Sequence, residues 1–405
     1  MTPRTDAALA GVLLGLWCAA AIWLRWSAWA PDLSAVIIAA RLWAEGGRDL
    51  VYAAPEGFFG GAPEAWGPAM QALGIAGRES FAYVYPPLWL ALLAPLVQGM
   101  PVQAAMDAAT LLQVPLLAAS VVLAGRLARP DGWSWTRWAL WGVAVLSLTV
   151  PATHALMHNQ PTITMGFLIL LAAERQAAGR PVAAGLALAL AAAIKLTPAA
   201  FVLLFLLPGA RRALGAFALA GLALAGLSVL LAGWPAHLDF LAALGAVSGV
   251  SLMIAINLSL ESALVTLGGA AGLWPLPGVL PAGIVAPVLA GVLARLIGVA
   301  LLAALVWRWR GHARAPLALL LGLAVIVPLA GPLGWLHYYV LPLLLLPALL
   351  TLAPQARVLL ALVPLALSLP LFLALRALPG FDLGFVVVGA ALWLAVLATL
   401  LRRGA

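Results

Sequence analysis

The chain has 405 residues, 65% hydrophobic and 8% charged, with a mean hydropathy of +1.11 and a formal net charge of +8. A water-soluble chain would carry roughly a quarter charged residues, so this is a polytopic membrane protein. Its apolar runs are too long and unalternating for a barrel, which leaves an all-α fold whose basic residues mark cytoplasmic loops rather than nucleic-acid binding.

In chain order, the first apolar run covers about residues 8–24 and ends at Arg25 without a small-residue cleavage site, so it reads as the first membrane anchor. Cys18 within it is the only cysteine, which excludes an internal disulfide or a cysteine metal site. Residues 27–103 follow as one large extracytoplasmic loop. It holds Asp32, Glu45, Asp49, Glu56, Glu64 and Glu79, nearly half of the thirteen acidic residues. The loop opens at Pro31-Asp32 into an amphipathic run to Glu45, passes Gly46-Gly47 and Tyr52, and closes on Tyr83-Val84-Tyr85-Pro86-Pro87. The apolar stretch 88–97 is too short to cross a bilayer and reads as a re-entrant or interfacial helix.

Further spans are predicted at 104–125, 138–151, 162–175, 182–194, 198–208, 213–232, 284–307, 316–331, 338–352, 357–374 and 384–401, making about twelve. Loop charges support this count. With both termini cytoplasmic, Arg126, Arg129, Arg137, Arg175, Arg180, Arg211-Arg212, Arg308, Arg310, Arg314, Arg357 and Arg402-Arg403 all fall inside. The outer face receives the acidic loop together with Asp239, Glu261 and Asp382. No hydropathy repeat or linker is visible, so residues 1–405 read as a single integral domain.

Each candidate residue carries two readings. Asp32 is either the N-cap of its helix or a general base for a sugar hydroxyl at the membrane surface. Lys195 is the only lysine, next to Leu196-Thr197-Pro198. It either snorkels to the interface or, at a broken helix, binds a phosphate. His337, in Gly334-Trp335-Leu336-His337, belongs to an aromatic belt or hydrogen-bonds substrate. His154 and His158 have helical i, i+4 spacing, but two ligands do not make a metal site. Asn159 and Gln160 read as donors and acceptors at the edge of a polar cavity. Arg295, mid-span, needs an interior partner. Asp107 carries no special role, and Trp133, Trp135 and Trp138 read as an interfacial belt.

Asp32, Gly46-Gly47 with Tyr52, Tyr85-Pro86-Pro87, Asn159-Gln160, Lys195-Leu196-Thr197-Pro198, Asn257-Leu258-Ser259-Leu260 and Gly331-Pro332-Leu333-Gly334-Trp335-Leu336-His337 occur in that order. This order resembles the GT-C glycosyltransferases, specifically glycosyltransferase family 87, which includes polyprenol-phosphate-mannose-dependent α-mannosyltransferases. The resemblance covers about residues 8–400 and implies a GT-C-like bundle in a bacterial plasma membrane with an extracytoplasmic active site. It implies a polyprenyl-phosphate sugar donor, a lipid or glycan acceptor and no cofactor or metal. Asp32 matches the catalytic base, with Lys195 and His337 at positions suited to the leaving phosphate, and Tyr85, His158, Asn159, Gln160 and Trp335 as further substrate contacts. One departure is Asn159-Gln160, where the family has Gly-Gln. A transporter or lipid flippase and a non-catalytic scaffold are the rival readings; clustering of ionisable groups in an outer loop, rather than at midplane, weighs against transport.

Overall fold

In a computed structural model of the chain, residues 2–55, 61–278, 282–285 and 287–402 are described; Glu56, Arg403 and residue 286 of the predicted 284–307 span lie outside them. About 74% of the chain is helical. Among the described residues five helices are long and apolar enough to cross a bilayer: Pro3–Arg25, Val102–Ala128, Arg211–Ala232, Val288–Trp309 and Phe381–Leu401. At 1.5 Å per residue each exceeds the roughly 30 Å hydrocarbon core. The protein is an all-α membrane protein with one two-stranded ribbon, Val250–Met253 against Ala282–Val285, that the sequence reading missed. Four-residue strands carry too little alternation to be recognised.

The chain divides into two compact units. One, Cys18–Ala119 with Ala155–Ser248, carries the acidic loop. Its centre is the Pro31–Ala44 helix, in which eleven of fourteen residues are buried. That corrects the amphipathic reading: Trp66, Met70, Ile75, Tyr83, Leu90 and Ala94 close over it. The Leu88–Val97 helix has the ten residues expected and packs on Pro31–Ala44 and Arg211–Ala232. Pro181–Ile194 packs against Arg211–Ala232 through Gly185, where a Cβ would stand 2.5 Å from Ala213 O and 2.6 Å from Phe217 N. Small residues buy such close helix approach in membranes. The chain breaks at Lys195 in extended conformation (φ −155°, ψ 144°), as expected, and Thr197–Leu206 continues as a 3-10 helix. The Trp234–Glu261 loop is not all loop; it contains the helix Trp234–Ser248.

The other unit holds Met1–Trp17, Ser120–His154 and Gly249–Ala405. Two predicted spans break here. Residues 138–151 end as a helix at Leu148, and residues 357–374 split into Leu359–Ala366 and Leu369–Leu375. The two breaks face each other: Thr149 and Ser368 form an antiparallel bridge, and Val150 N donates to Leu367 O at 2.8 Å. Backbone groups freed by Pro364 and Pro370 therefore find partners without water. Residues 336–352 alternate between 3-10 and α turns, in step with Pro342 and Pro347. Trp138 is no belt residue: it is buried, its Nε1 donating to Val121 O at 2.8 Å. Trp133 and Trp135 are half-buried beneath Arg137 and Arg129. Arg295 has its partner, Glu261 at 3.8 Å.

Candidate active site

In the loop-bearing unit Pro31 occupies the first turn of its helix and Ala30 is the N-cap, with no side-chain cap bond. Asp32 is therefore not the cap. It lies inside the first turn, where the helix dipole favours a carboxylate. Its Oδ2 is 3.5 Å from His158 Nδ1, an ion-pair distance, with the two side chains 18% and 10% exposed. The His158 ring stacks on Phe81 with centroids 6.2 Å apart.

His158 enters on the turn that follows Met157. Arg25 Nη2 donates to Met157 O at 3.0 Å. Asn159, the next residue, has φ +47°, a left-handed conformation that asparagine tolerates better than most. Its amide is not open to a cavity. Asn159 Nδ2 donates to Met106 O at 3.2 Å and Thr110 Oγ1 at 2.9 Å, and Gln113 Nε2 donates to both Asn159 O and Oδ1 at 2.8 Å. Gln160 then turns to the closing segment of the loop, its Oε1 accepting from Tyr85 Oη at 3.3 Å. Lys195 Nζ lies 5.3 Å from the centroid of the same Tyr85 ring. Trp89 Nε1 donates to Ala193 O at 2.7 Å, which ties the loop's end to the helix that presents Lys195. One turn thus links Asp32, through His158, to Tyr85 and Lys195, through Gln160.

Tyrosines support this arrangement from below. Tyr52 Oη donates to Tyr85 O at 2.9 Å and Tyr83 Oη to Pro86 O at 3.1 Å. The Tyr52–Tyr83 and Tyr83–Tyr85 ring centroids are 5.5 and 5.6 Å apart. Burial pushes both the Tyr52 and Tyr83 phenols above their ordinary range, so they remain donors. Sequence reasoning missed Gln113, Thr110 and Asp107. Asp107, given no role above, accepts from Ser27 N at 2.9 Å and Gln103 Nε2 at 3.0 Å and fixes the start of the loop, where Ser27 has φ +57°. A polar residue inside an otherwise apolar run was the signal available for Gln113.

In the other unit the two last segments of the ordered set pair with each other. Asn257 and Trp335 form an antiparallel bridge, Leu258 N donates to Gly334 O at 2.8 Å and Leu336 N to Ile256 O at 2.9 Å. Gly334 N donates to Asn257 Oδ1 at 2.7 Å, while Asn257 Nδ2 reaches Leu252 O and Ser262 Oγ. Trp335 and His337 emerge from this bridge with ring centroids 6.3 Å apart and nearly parallel. His337 stacks also on His154 at 5.8 Å and meets Tyr338 edge-on at 4.8 Å. His337 and His154 are both buried.

No curated protein matches the chain. Residues 83–332 match the family model of glycosyltransferase family 87, a segment that contains Tyr85, His158, Asn159, Gln160, Lys195 and Asn257. Asp32 precedes the matched segment, and Trp335 and His337 follow it. The match spans more than half of the chain, and the chain belongs to glycosyltransferase family 87: it is a membrane-embedded transferase that works with a sugar donor and an acceptor in contact with the bilayer.

Proposed function

We propose that the protein transfers a hexose, mannose by resemblance, from a polyprenyl-phosphate sugar to a lipid or glycan acceptor, with inversion. The observation that supports this most directly is the Asp32–His158 pair at 3.5 Å, joined by one turn to Tyr85 and Lys195. In this reading Asp32 takes the proton of the acceptor hydroxyl as its oxygen attacks the anomeric carbon. The bond from that carbon to the phosphate oxygen breaks, and the polyprenyl phosphate leaves with the electron pair. Lys195 supplies the positive charge that meets the leaving phosphate. Tyr85, His158 and Gln160 hold the sugar and acceptor, and Asn159 serves through its backbone turn. Trp335 and His337 contact substrate from their own unit as a flat aromatic surface with a hydrogen-bonding imidazole. About twelve crossings, an extracytoplasmic reaction face in a plasma membrane and cytoplasmic termini belong to the same proposal, as does the treatment of residues 1–405 as one integral domain.

The test uses purified protein in nanodiscs, radiolabelled polyprenyl-phosphate mannose and a lipid acceptor extract, comparing wild type with Asp32→Asn. Because the helix is capped at Ala30, the substitution leaves the helix start intact. Transfer by wild type with a loss of at least about 100-fold in the variant supports a general base, whose contribution is typically 10²–10⁴-fold. Equal transfer by both would remove Asp32 from the chemistry. Transfer of another sugar in preference to mannose would correct the donor and keep the base.

A further inference from the structure

A glutamine amide in the middle of a 27-residue apolar helix is costly unless it is hydrogen-bonded. Gln113 lies in such a helix, is buried, and gives Nε2 twice to one residue of a distant turn, Asn159. Met106 and Thr110, at the i−7 and i−3 positions from Gln113, take the other side of the same residue through Met106 O and Thr110 Oγ1. One face of the helix therefore grips every polar atom of the Asn159 side chain. That residue sits in the left-handed region at φ +47°, a conformation that costs free energy unless its surroundings enforce it. Its two neighbours are the residues that reach Asp32 and Tyr85, respectively His158 and Gln160.

We infer that Gln113 and Asn159 are positioning residues for the transfer reaction: they fix the turn so that His158 stands against the Asp32 carboxylate. This rests on the reading of Asp32 as the general base. His158 is delivered by a clamp on a separate helix, so its placement does not depend on substrate to order it. The role also accounts for asparagine where glycine would satisfy the backbone: glycine would give the same φ without the grip.

The test compares Gln113→Leu, Asn159→Gly and His158→Ala with the double variant Gln113→Leu/His158→Ala. Gln113→Leu removes both donated bonds and is expected to lower kcat about 10- to 100-fold, the scale of a misplaced catalytic group, with KM for the donor within about threefold. Asn159→Gly keeps the left-handed backbone and the bond to the residue 159 carbonyl, and its loss is smaller. In the His158→Ala background the Gln113→Leu loss should largely vanish, because a positioning residue acts through the group that it positions. A Gln113→Leu enzyme with wild-type kcat, or an equal loss with and without His158, would overturn the inference. An inactive Asp32→Asn beside an unimpaired Gln113→Leu would sink the clamp alone, whereas an active Asp32→Asn would sink the base. A second readout needs no substrate. Carbethoxylation of buried His158 by diethyl pyrocarbonate, followed by mass spectrometry, should be several-fold faster in Gln113→Leu, and equal rates would refute the clamp.

Discussion

Gly334→Ala puts the pairing of the two late segments to a quantitative test. A Cβ at this position would stand 2.6 Å from Ser259 N, 2.7 Å from Leu258 C and 2.9 Å from Leu258 O. All three are backbone atoms, so no side-chain rotation can relieve the contact. The strands must separate, and with them go the bonds Leu258 N to Gly334 O, Gly334 N to Asn257 Oδ1 and Leu336 N to Ile256 O. At about 0.5–1.5 kcal/mol net for each bond, the loss is about 1.5–4.5 kcal/mol, and more if Asn257, fully buried, is left unsatisfied. With about 2–4 °C per kcal/mol for a unit of roughly 200 residues, the apparent Tm falls by about 5–15 °C. The assay is thermal aggregation of detergent-purified protein, followed by size-exclusion fluorescence, with Gly384→Ala as control. Nothing lies within 4 Å of a Cβ at Gly384, inside the Phe381–Leu401 helix, so alanine there should hold or raise Tm. A Gly334→Ala protein that melts with wild type would show that the two segments do not depend on close backbone approach.

Two further outcomes follow from buried groups. Glu261 is 2% exposed at its side chain and faces Arg295, half-exposed, at 3.8 Å. Arg295→Met should therefore cost about 1–2 kcal/mol by leaving a buried carboxylate without its cation, and adding Glu261→Gln should recover most of that loss; a double variant no more stable than Arg295→Met would refute the pairing. The Tyr52 and Tyr83 phenols are raised by burial, so folding favours their neutral forms. Above the unfolded value near 10 the unfolded chain releases protons that the folded one keeps, and stability falls with pH by about 1.4 kcal/mol per unit for each phenol. In denaturant titrations Tyr52→Phe should make that alkaline decline shallower while losing about 1 kcal/mol at neutral pH with the bond to Tyr85 O; an unchanged alkaline slope would refute this.

Apolar runs were legible because length in a bilayer is dictated by the solvent: the ends predicted for 162–175, 182–194 and 213–232 fall within two residues of the helices Thr162–Ala177, Pro181–Ile194 and Arg211–Ala232. What hydropathy does not encode is where an apolar run stops being an α-helix. Prolines break 357–374 into two pieces and carry 336–352 through 3-10 turns, and both remain equally apolar. Among site residues, Lys195 at a helix break and the grouping of Tyr85 with Gln160 could be read from composition, since charge and amides are rare in this chain. The burial of the Pro31–Ala44 helix on every side could not, because its cover comes from residues 30–60 positions away. The clamp on Asn159 was hidden for the same reason: its partners Met106, Thr110 and Gln113 lie 46–53 residues earlier and share a helix face only once that helix exists.

The ten-residue 3-10 segment Thr197–Leu206 behaves as a ruler. At about 2.0 Å per residue it spans about 20 Å, against about 15 Å for an α-helix of the same length. Its threefold repeat also aligns Pro198, Phe201 and Leu204 in one straight column, and all three are buried. Rewinding to α geometry would swing Leu204 about 120° away from Pro198 and draw the two ends about 5 Å closer. A single inserted residue would likewise turn everything after it by a third of a revolution. The distance from Lys195 to the far end of this segment is thus set by counting in threes, and an insertion or deletion of three residues should disturb it less than one of a single residue.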